Sequence, residues 1–298
     1  MSTMVIHHSA DFDGLFCREI AARYFAKAGG KVMIVGWDYS DPVPEVPAWV
    51  KEIYMLDISV EALMGDPRLI WIDHHASAIA KFGHGIRGYR IDGVAACRLA
   101  YQWFFTHNVS RNPSAFDGAL LPGKVDFIER RVNEPLAVRL AGEYDIWDRR
   151  DPNAELLQHG LRSCEIDAVM WESMLDLRTQ ANAIVRFLLE NGKAVQYAKT
   201  RENESIAKNL SFTIDFEGLK FCAINAARYN SHLFTAGLKP EHDGCFGFNF
   251  DGKKWRVSLY HAPGKEHLDL SKIAVKYGGG GHKGACGFTL ARLPLGNA

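Results

Sequence analysis

Short apolar runs alternate with helical patterns through the first half of this chain, and this alternation constrains the fold more than any other feature. The apolar runs, each of strand length, cover residues 4–7, 31–37, 52–58 and 69–72. Large apolar side chains recur at about four-residue spacing in 14–28 and again in 94–105, as in amphipathic helices. Such alternation is typical of a parallel sheet with helices on both faces. The sequence therefore predicts an α/β fold for this part of the chain.

The second half follows a different pattern. Residues 153–210 have a helical pattern without a clear β-run, and 187–209 are polar enough for a connecting helix. Farther on, Glu217-Gly218 and Asp251-Gly252 each separate two β-runs, which is a hairpin signal. The expected division is a parallel-sheet domain at 1–185, a helical linker at 186–205 and a smaller α+β domain at 206–298.

The charge and cysteine content narrow the class of protein. The 298 residues carry 35 Lys and Arg against 35 Asp and Glu, and this zero net charge argues against binding to long duplex DNA. No apolar run approaches the roughly 20 residues that span a bilayer, so we expect no membrane association. The cysteines are scattered without a C-x-x-C pair, and the N-terminus lacks a basic segment. These features predict a cytoplasmic protein with reduced thiols.

Acidic residues and histidines form four clusters at the expected strand ends. The clusters are His7-x-x-x-Asp11-x-Asp13, Asp57, Asp73-His74-His75 and Asp145. Because ligands bind beyond the carboxyl ends of parallel strands, we expect these side chains to converge. Carboxylates brought so close repel one another unless cations lie among them. Mixed histidine and carboxylate ligands suit manganese, iron, cobalt or zinc, and a carboxylate that bridges two ions is the usual two-metal hydrolytic arrangement.

Two further features have a plain structural interpretation beside a functional one. His8, which is next to His7, is expected to be a packing or surface residue. The run Gly278–Gly281 followed by His282 forms either an anion-binding nest of backbone amides or a cap and flexible connection after a helix ending at Tyr277.

In combination these residues resemble the motifs of the DHH phosphoesterase superfamily. That superfamily includes RecJ-type exonucleases, family II pyrophosphatases, exopolyphosphatases, cyclic-dinucleotide phosphodiesterases and nanoRNases. The four clusters match its four motifs in order, and residues 278–288 resemble the glycine-rich signature of the DHH-associated C-terminal domain. The resemblance spans positions 7 to 288 and is nearest to phosphodiesterases of the nanoRNase or oligoribonuclease type.

The resemblance implies a role for each matched residue. The implied metal ligands are His7 and Asp11 for a first ion, Asp13, His74 and Asp145 for a second, and Asp57 as the bridge. The implied catalytic residues are His75, facing the scissile phosphate, and Asp73, orienting a ligand. The implied substrate-binding residues are Gly278, Gly279, Gly280, Gly281 and His282. The active site is then expected in a cleft between the two domains.

The function predicted in this way is a two-metal phosphodiesterase. It would hydrolyse short single-stranded oligonucleotides or dinucleotides to nucleoside monophosphates, like a 3′–5′ exoribonuclease, with manganese, cobalt or magnesium as the ion. A homodimer is compatible with the sequence. The alternatives are a cyclic mono- or dinucleotide phosphodiesterase, a pyrophosphatase or exopolyphosphatase, and a metal-bound nucleotide sensor without activity.

The chain departs from the pattern at one position. Where related nanoRNases commonly have Arg-Ser after Val-Ser-Leu, this chain has Tyr260-His261. The aromatic pair either stacks on a base or is an ordinary part of the strand.

Overall fold

The protein is described by a computed structural model that covers residues 2–106, 121–177, 183–227 and 229–293. The chain divides into two compact units, Met1–Val195 and Gln196–Ala298. Within the described ranges, no helix combines the length and apolar character needed to cross a membrane.

The first unit contains a five-stranded parallel sheet with the strand order β2-β1-β3-β4-β5. Its strands are β1 (Ser2–His8), β2 (Lys31–Trp37), β3 (Glu52–Leu56), β4 (Leu69–Asp73) and β5 (Arg87–Arg90). The predicted parallel α/β sheet is confirmed, with its four predicted strands. The edge strand β5 was not predicted, since Arg-Gly-Tyr-Arg is not an apolar run.

Helices cover both faces of this sheet, as the sequence predicted. They are α1 (Phe12–Ala28), α2 (Ala76–Phe82), α3 (Ala96–Tyr101), α4 (Lys124–Ile128), α5 (Leu136–Asp145), α6 (Asn153–Leu161) and α7 (Ala168–Met174). A 3₁₀ turn occupies Glu61–Leu63, and α3 continues into a π-helical segment, Gln102–Thr106. The helix α1 begins where the Asp11 side chain accepts a hydrogen bond from Gly14 N, and it ends at Gly29, whose φ is 72°.

The two hydrophobic cores of this unit show how the strand β1 is oriented. Val5 packs in the core that contains α1 and α3, whereas Met4 and Ile6 pack in the opposite core, which includes residues of α2. All three side chains are fully buried. Since successive side chains of a strand point to opposite faces, His7 and His8 must also diverge at the end of β1.

The second unit is built on a six-stranded sheet with the strand order β10-β11-β9-β8-β7-β6. Its strands are β6 (Phe212–Phe216), β7 (Leu219–Asn225), β8 (Gly244–Phe250), β9 (Trp255–His261), β10 (Gly280–His282) and β11 (Ala285–Leu290). All pairs are antiparallel except β7 with β8. The unit also contains a 3₁₀ turn at Ser231–Phe234 and the helix α9 (Ser271–Lys276).

One long helix connects the two units. The helix α8 (Ala183–Leu210) has 28 residues and contains the whole of the predicted linker, residues 186–205. Both predicted hairpins also form. In the first, Glu217 and Gly218 have φ of 52° and 78°, the left-handed values of a two-residue hairpin turn.

Candidate metal centre

The carboxyl edge of the parallel sheet gathers the acidic and histidine clusters. His8 ends β1, Asp57 follows β3, and Asp73 ends β4. Potential metal-ligating atoms of the described residues form three overlapping groups at this edge, and in each group the atoms lie within 4.8 Å of one another. Two of them share no residue: the first group is His8, Asp11 and Asp57, and the second group is Asp13, His74 and Asp145. The remaining set, Asp57, Asp73, His74 and His75, overlaps both.

The first group is held by the start of α1. His8 Nδ1 lies 2.8 Å from Asp11 Oδ2 and 3.4 Å from Asp57 Oδ2. The other oxygen of Asp11 accepts a hydrogen bond from Gly14 N at 2.9 Å. Gly14 must be glycine, because a Cβ there would lie 2.0 Å from the carbonyl oxygen of His8. The helix cap and the strand end thus fix both side chains.

The structure places His8, and not His7, in the first group. In the described part of the chain, His7 belongs to neither group, and its Nδ1 donates a hydrogen bond to the carbonyl oxygen of His8 at 2.7 Å. The sequence analysis had interpreted His8 as a packing or surface residue and His7 as the ligand, whereas the structure brings His8 close to Asp11 and Asp57. The physical reason is strand alternation, which turns adjacent side chains to opposite faces.

The second group joins three separate elements. His74 Nε2 lies 3.3 Å from Asp145 Oδ2 and 3.6 Å from Asp13 Oδ2. The Asp13 carboxylate is buried and accepts hydrogen bonds from the amides of Ala96 and Cys97, at 2.8 and 2.7 Å. These amides form the N-terminus of α3, where the helix dipole favours an anion.

Asp145 reaches this group from the end of a helix. The sequence analysis placed it at a strand end, which is wrong, because Asp145 is the last residue of α5. Gly142 lets α5 approach α3 closely, since a Cβ at Gly142 would lie 2.7 Å from the side chain of Arg98. Close packing of α5 against α3 therefore positions the Asp145 carboxylate in the second group.

Asp57 lies between the two groups. Its Oδ1 is 3.3 Å from His74 Nε2, and its Oδ2 faces His8. The residue is buried, and neither oxygen has a hydrogen-bond partner of normal geometry among the described residues. Its φ of 61° is unusual for a residue with a side chain. Burying a carboxylate with both oxygens unsatisfied costs free energy, and a cation bound beside Asp57 would offset that cost.

The electrostatics of the two groups favour the same interpretation. Burial together with the charge of Asp57 raises the pKa of Asp13 to about 7. Burial and the charge of Asp13 likewise raise the pKa of Asp145 to about 7. Burial lowers the pKa of His74, but the surrounding carboxylates outweigh it and raise that pKa to about 10. Burying these carboxylates in their charged form is therefore costly, and bound cations would offset that cost. The donor set of imidazoles and carboxylates fits divalent transition ions.

Asp73 orients the residues of the third motif, Asp73-His74-His75. Its Oδ1 accepts hydrogen bonds from His75 Nδ1 at 2.7 Å and from the amides of His74 and His75, at 2.6 and 3.1 Å. Its Oδ2 accepts one from Trp71 Nε1 at 3.0 Å. The bond from His75 raises the pKa of that imidazole. The His75 side chain is 43% exposed, so its ring is oriented by Asp73 and remains accessible.

Most glycines of the run Gly278–Gly281 in the second unit have a structural role. Gly278, with φ of 75°, caps α9, and Gly279 N donates to Ala274 O at 2.8 Å. A Cβ at Gly279 would lie 2.1 Å from Gly287 O, and one at Gly281 would lie 2.6 Å from Cys286 Cα. Gly280 and His282 are exposed in β10, and a Cβ at Gly280 would meet no described atom within 4 Å.

The aromatic pair that departs from the family pattern has structural partners. Tyr260 packs beside a small core, with its ring 6.3 Å from that of Phe234. His261 Nε2 donates to Leu268 O at 2.8 Å. These contacts favour the interpretation of both residues as ordinary parts of β9.

His8 is the candidate ligand that sequence reasoning missed. Alternation along a strand indicates that only one of His7 and His8 faces the site, but which one does so depends on how β1 packs between its two cores.

Comparisons with known proteins support the fold. No protein-family model matches the chain, and no curated protein matches it significantly in sequence. A solved DHH domain from a member of a family of ribosomal proteins matches with a TM-score of 0.54 and 15% identity, over 97% of this chain and 83% of that one.

Two further solved structures match with lower scores. The pGpG-specific phosphodiesterase PggH from Vibrio cholerae has a TM-score of 0.48 and 14% identity, over 98% of this chain and 94% of that one. RecJ from Thermus thermophilus, in complex with Mn²⁺, has a TM-score of 0.46 and 14% identity, over 97% of this chain and 49% of that one. The likeness to the DHH domain, together with the parallel sheet and the second sheet unit, shows that this chain has the fold of DHH-domain proteins.

Proposed function

We propose that this protein is a metal-dependent phosphodiesterase that hydrolyses short oligonucleotides to nucleoside monophosphates. The observation that carries the proposal is the buried Asp57 carboxylate, which faces a histidine of each ligand group and has no well-oriented hydrogen bond in the described chain. A carboxylate in this position is suited to bridging two cations.

The ligands follow from the two groups. His8 and Asp11 would hold one ion, Asp13, His74 and Asp145 would hold the other, and Asp57 would contact both. We propose manganese, with cobalt and magnesium as alternatives, because the donors are imidazoles and carboxylates without thiolate. When bound, two such ions lower the pKa of a water and neutralise charge on a phosphoryl oxygen.

Residues of the third motif handle protons. With Nδ1 donating to Asp73, His75 can hold a proton at Nε2 and donate it to an oxygen of the substrate phosphate. The raised pKa of His75 favours the protonated ring that this role requires. Asp73 fixes the orientation of the ring and thereby acts as a positioning residue.

Two observations support the proposed substrate class, namely the net charge of the chain and the glycine segment. A zero net charge does not favour a long, electrostatically bound duplex, and short substrates need fewer phosphate contacts. We propose that the exposed Gly280 backbone and the exposed His282 contribute to substrate binding.

A substrate panel tests this proposal. The protein with Mn²⁺ is incubated with dinucleotides, longer oligonucleotides, cyclic dinucleotides, pyrophosphate and polyphosphate, with EDTA as the matched negative condition. We expect nucleoside monophosphates from dinucleotides at the highest rate and no product in EDTA. Preferred turnover of a cyclic dinucleotide or of pyrophosphate would show that the proposed substrate, a short oligonucleotide, is wrong. Lack of turnover of every substrate would show that the proposed phosphodiesterase activity is wrong.

A further inference from the structure

The turn after α5 has an unusual residue at its left-handed position. Trp147 N donates to Tyr144 O at 3.1 Å and Asp148 N donates to Glu143 O at 2.8 Å, the bond pattern of a Schellman helix end. The residue in the left-handed conformation of this motif is usually glycine, but here it is Trp147, with φ of 59°. A bulky side chain is disfavoured at this position.

The fold gains little from the tryptophan. The residue is 58% exposed, and no hydrophobic core of the described chain includes it. Glycine would satisfy the same backbone bonds without strain. A strained residue that the fold does not need indicates a role in function.

The exposed ring is nevertheless held in place. The Arg149 guanidinium carbon lies 4.4 Å from the centre of the Trp147 ring and 5.7 Å from that of Tyr144. The Trp147 and Tyr144 rings are nearly parallel, 22° apart, with centres separated by 6.4 Å. Arg149 is itself anchored, with Nη1 3.4 Å from Glu155 Oε2. Trp147 is thus supported by a cation and keeps more than half of its surface open.

This supported ring lies two residues after Asp145, a member of the second ligand group. We propose that Trp147 stacks on a nucleobase of the substrate and that Arg149 adds positive charge for its phosphate. This inference rests on the proposed function, and it identifies Trp147 as the residue that selects nucleotide substrates. Stacking uses the face common to all bases, so the subsite selects a nucleotide over other phosphates without strong preference for base identity.

Binding of two ligands that differ only in the base tests the subsite. Affinities for adenosine 5′-monophosphate and ribose 5-phosphate are measured by calorimetry on the full chain with Mn²⁺. The variants are Trp147→Gly, which relieves the backbone strain, and Trp147→Phe, which retains a ring. The control is Tyr197→Ala, which removes another exposed aromatic residue, located in α8.

We expect the natural chain and Tyr197→Ala to bind the nucleotide about ten- to a hundredfold more tightly than the sugar phosphate, which is the effect of one stacked base. Trp147→Gly should abolish this ratio while melting at the same or a higher temperature, and Trp147→Phe should retain most of it. Equal binding of both ligands by the natural chain, or an unchanged ratio in Trp147→Gly, would overturn the subsite.

These outcomes are separate from those of the cleavage panel. Base-dependent binding lost in Trp147→Gly, without cleavage of any phosphodiester, would support the subsite and remove the proposed function. Cleavage of dinucleotides without base-dependent binding would support the proposed function and overturn the subsite.

Discussion

His8 Nδ1 lies 3.4 Å from Asp57 Oδ2, and this contact places His8 in the first ligand group. We therefore expect His8→Ala to weaken Mn²⁺ binding by more than the roughly 10- to 100-fold that loss of an outer partner costs. His7→Ala is the matched control, since the two histidines are adjacent in β1 and face opposite ways. It should keep the Mn²⁺ affinity within about threefold, although loss of a buried ring will lower stability by about 1–3 kcal/mol. Metal titration followed by calorimetry measures both, and weak binding in His7→Ala with normal binding in His8→Ala would reverse the assignment.

Asp57→Asn should separate stability from function. The variant should lose turnover and high-affinity binding of both ions, because its carboxylate faces both groups. Burial and neighbouring carboxylates raise the pKa of Asp57, so its charge is less favourable in the metal-free fold than in the unfolded chain. We expect the free energy of unfolding in EDTA to stay equal or to rise. Urea unfolding with and without Mn²⁺ measures this, and a large loss of stability in EDTA would show that Asp57 has a structural role.

His75→Ala should lower turnover without removing metal. The loss of a positioned proton donor is worth about 10²–10⁴ in rate, and His75 is not among the ligands proposed for either ion, since its Nδ1 donates to Asp73. Asp73→Asn should give a smaller loss, about 10- to 100-fold, because the ring remains but loses its charged partner. Rates on a dinucleotide, together with metal analysis of the same samples, test the order. Loss of bound manganese in His75→Ala would assign the ring to the metal instead.

The metal-free protein should become less stable as the pH rises. The close carboxylates of Asp11 and Asp57 raise the pKa of His8 to about 10. Together with His74, Asp13 and Asp145, whose pKa values are also raised, His8 belongs to a set of four groups that binds more protons in the folded state than in the unfolded chain from about pH 4 to pH 10. Each such group stabilises the fold below its unfolded pKa, and this contribution is lost as the pH rises through the folded value.

We expect the melting midpoint in EDTA to fall by several degrees between pH 5.5 and pH 8.5. With Mn²⁺ the decline should be smaller, because the ions replace the protons among the carboxylates. The variant Asp145→Asn should have a shallower decline in EDTA. A midpoint that rises with pH in EDTA would contradict the charge balance derived for these groups.

Elements with a strong local signal could be predicted from the sequence. The strand β2 coincides with the predicted run 31–37, and β6 with the run 212–216, because each run is rich in β-branched or aromatic residues and ends at a turn. The edge strand β5 is different. Its four residues are mostly polar, and pairing with β4 makes them a strand.

In the candidate site, too, some residues could be located from a local sequence signal, whereas the positions of others depend on tertiary packing. Asp11, Asp13 and the third motif could be located because their positions follow from the end of a strand. Which of His7 and His8 faces the site depends on the packing of β1 between two cores, a tertiary property. The position of Asp145 depends on close packing of Gly142 against Arg98, which has no local signal in the sequence.

The glycine run offers a test that separates the needs of the fold from those of a ligand. Gly281 has φ of 130°, and a Cβ there would lie 2.6 Å from Cys286 Cα, so Gly281→Ala should destabilise the second unit by roughly 1–3 kcal/mol. A Cβ at Gly280 would meet no described atom within 4 Å, and its φ is not in the left-handed range. Gly280→Ala should therefore change stability by less than about 0.5 kcal/mol.

The same change should nevertheless weaken substrate binding if a phosphate approaches the backbone at Gly280, because a methyl group would intrude on that contact. We expect the KM for a dinucleotide to rise about tenfold in Gly280→Ala with kcat little changed, since the lost interaction serves binding. Urea unfolding and steady-state kinetics on the two variants measure the contrast. An unchanged KM in Gly280→Ala would show that the glycine run serves the fold alone, and the proposed role of this segment in substrate binding would then be wrong.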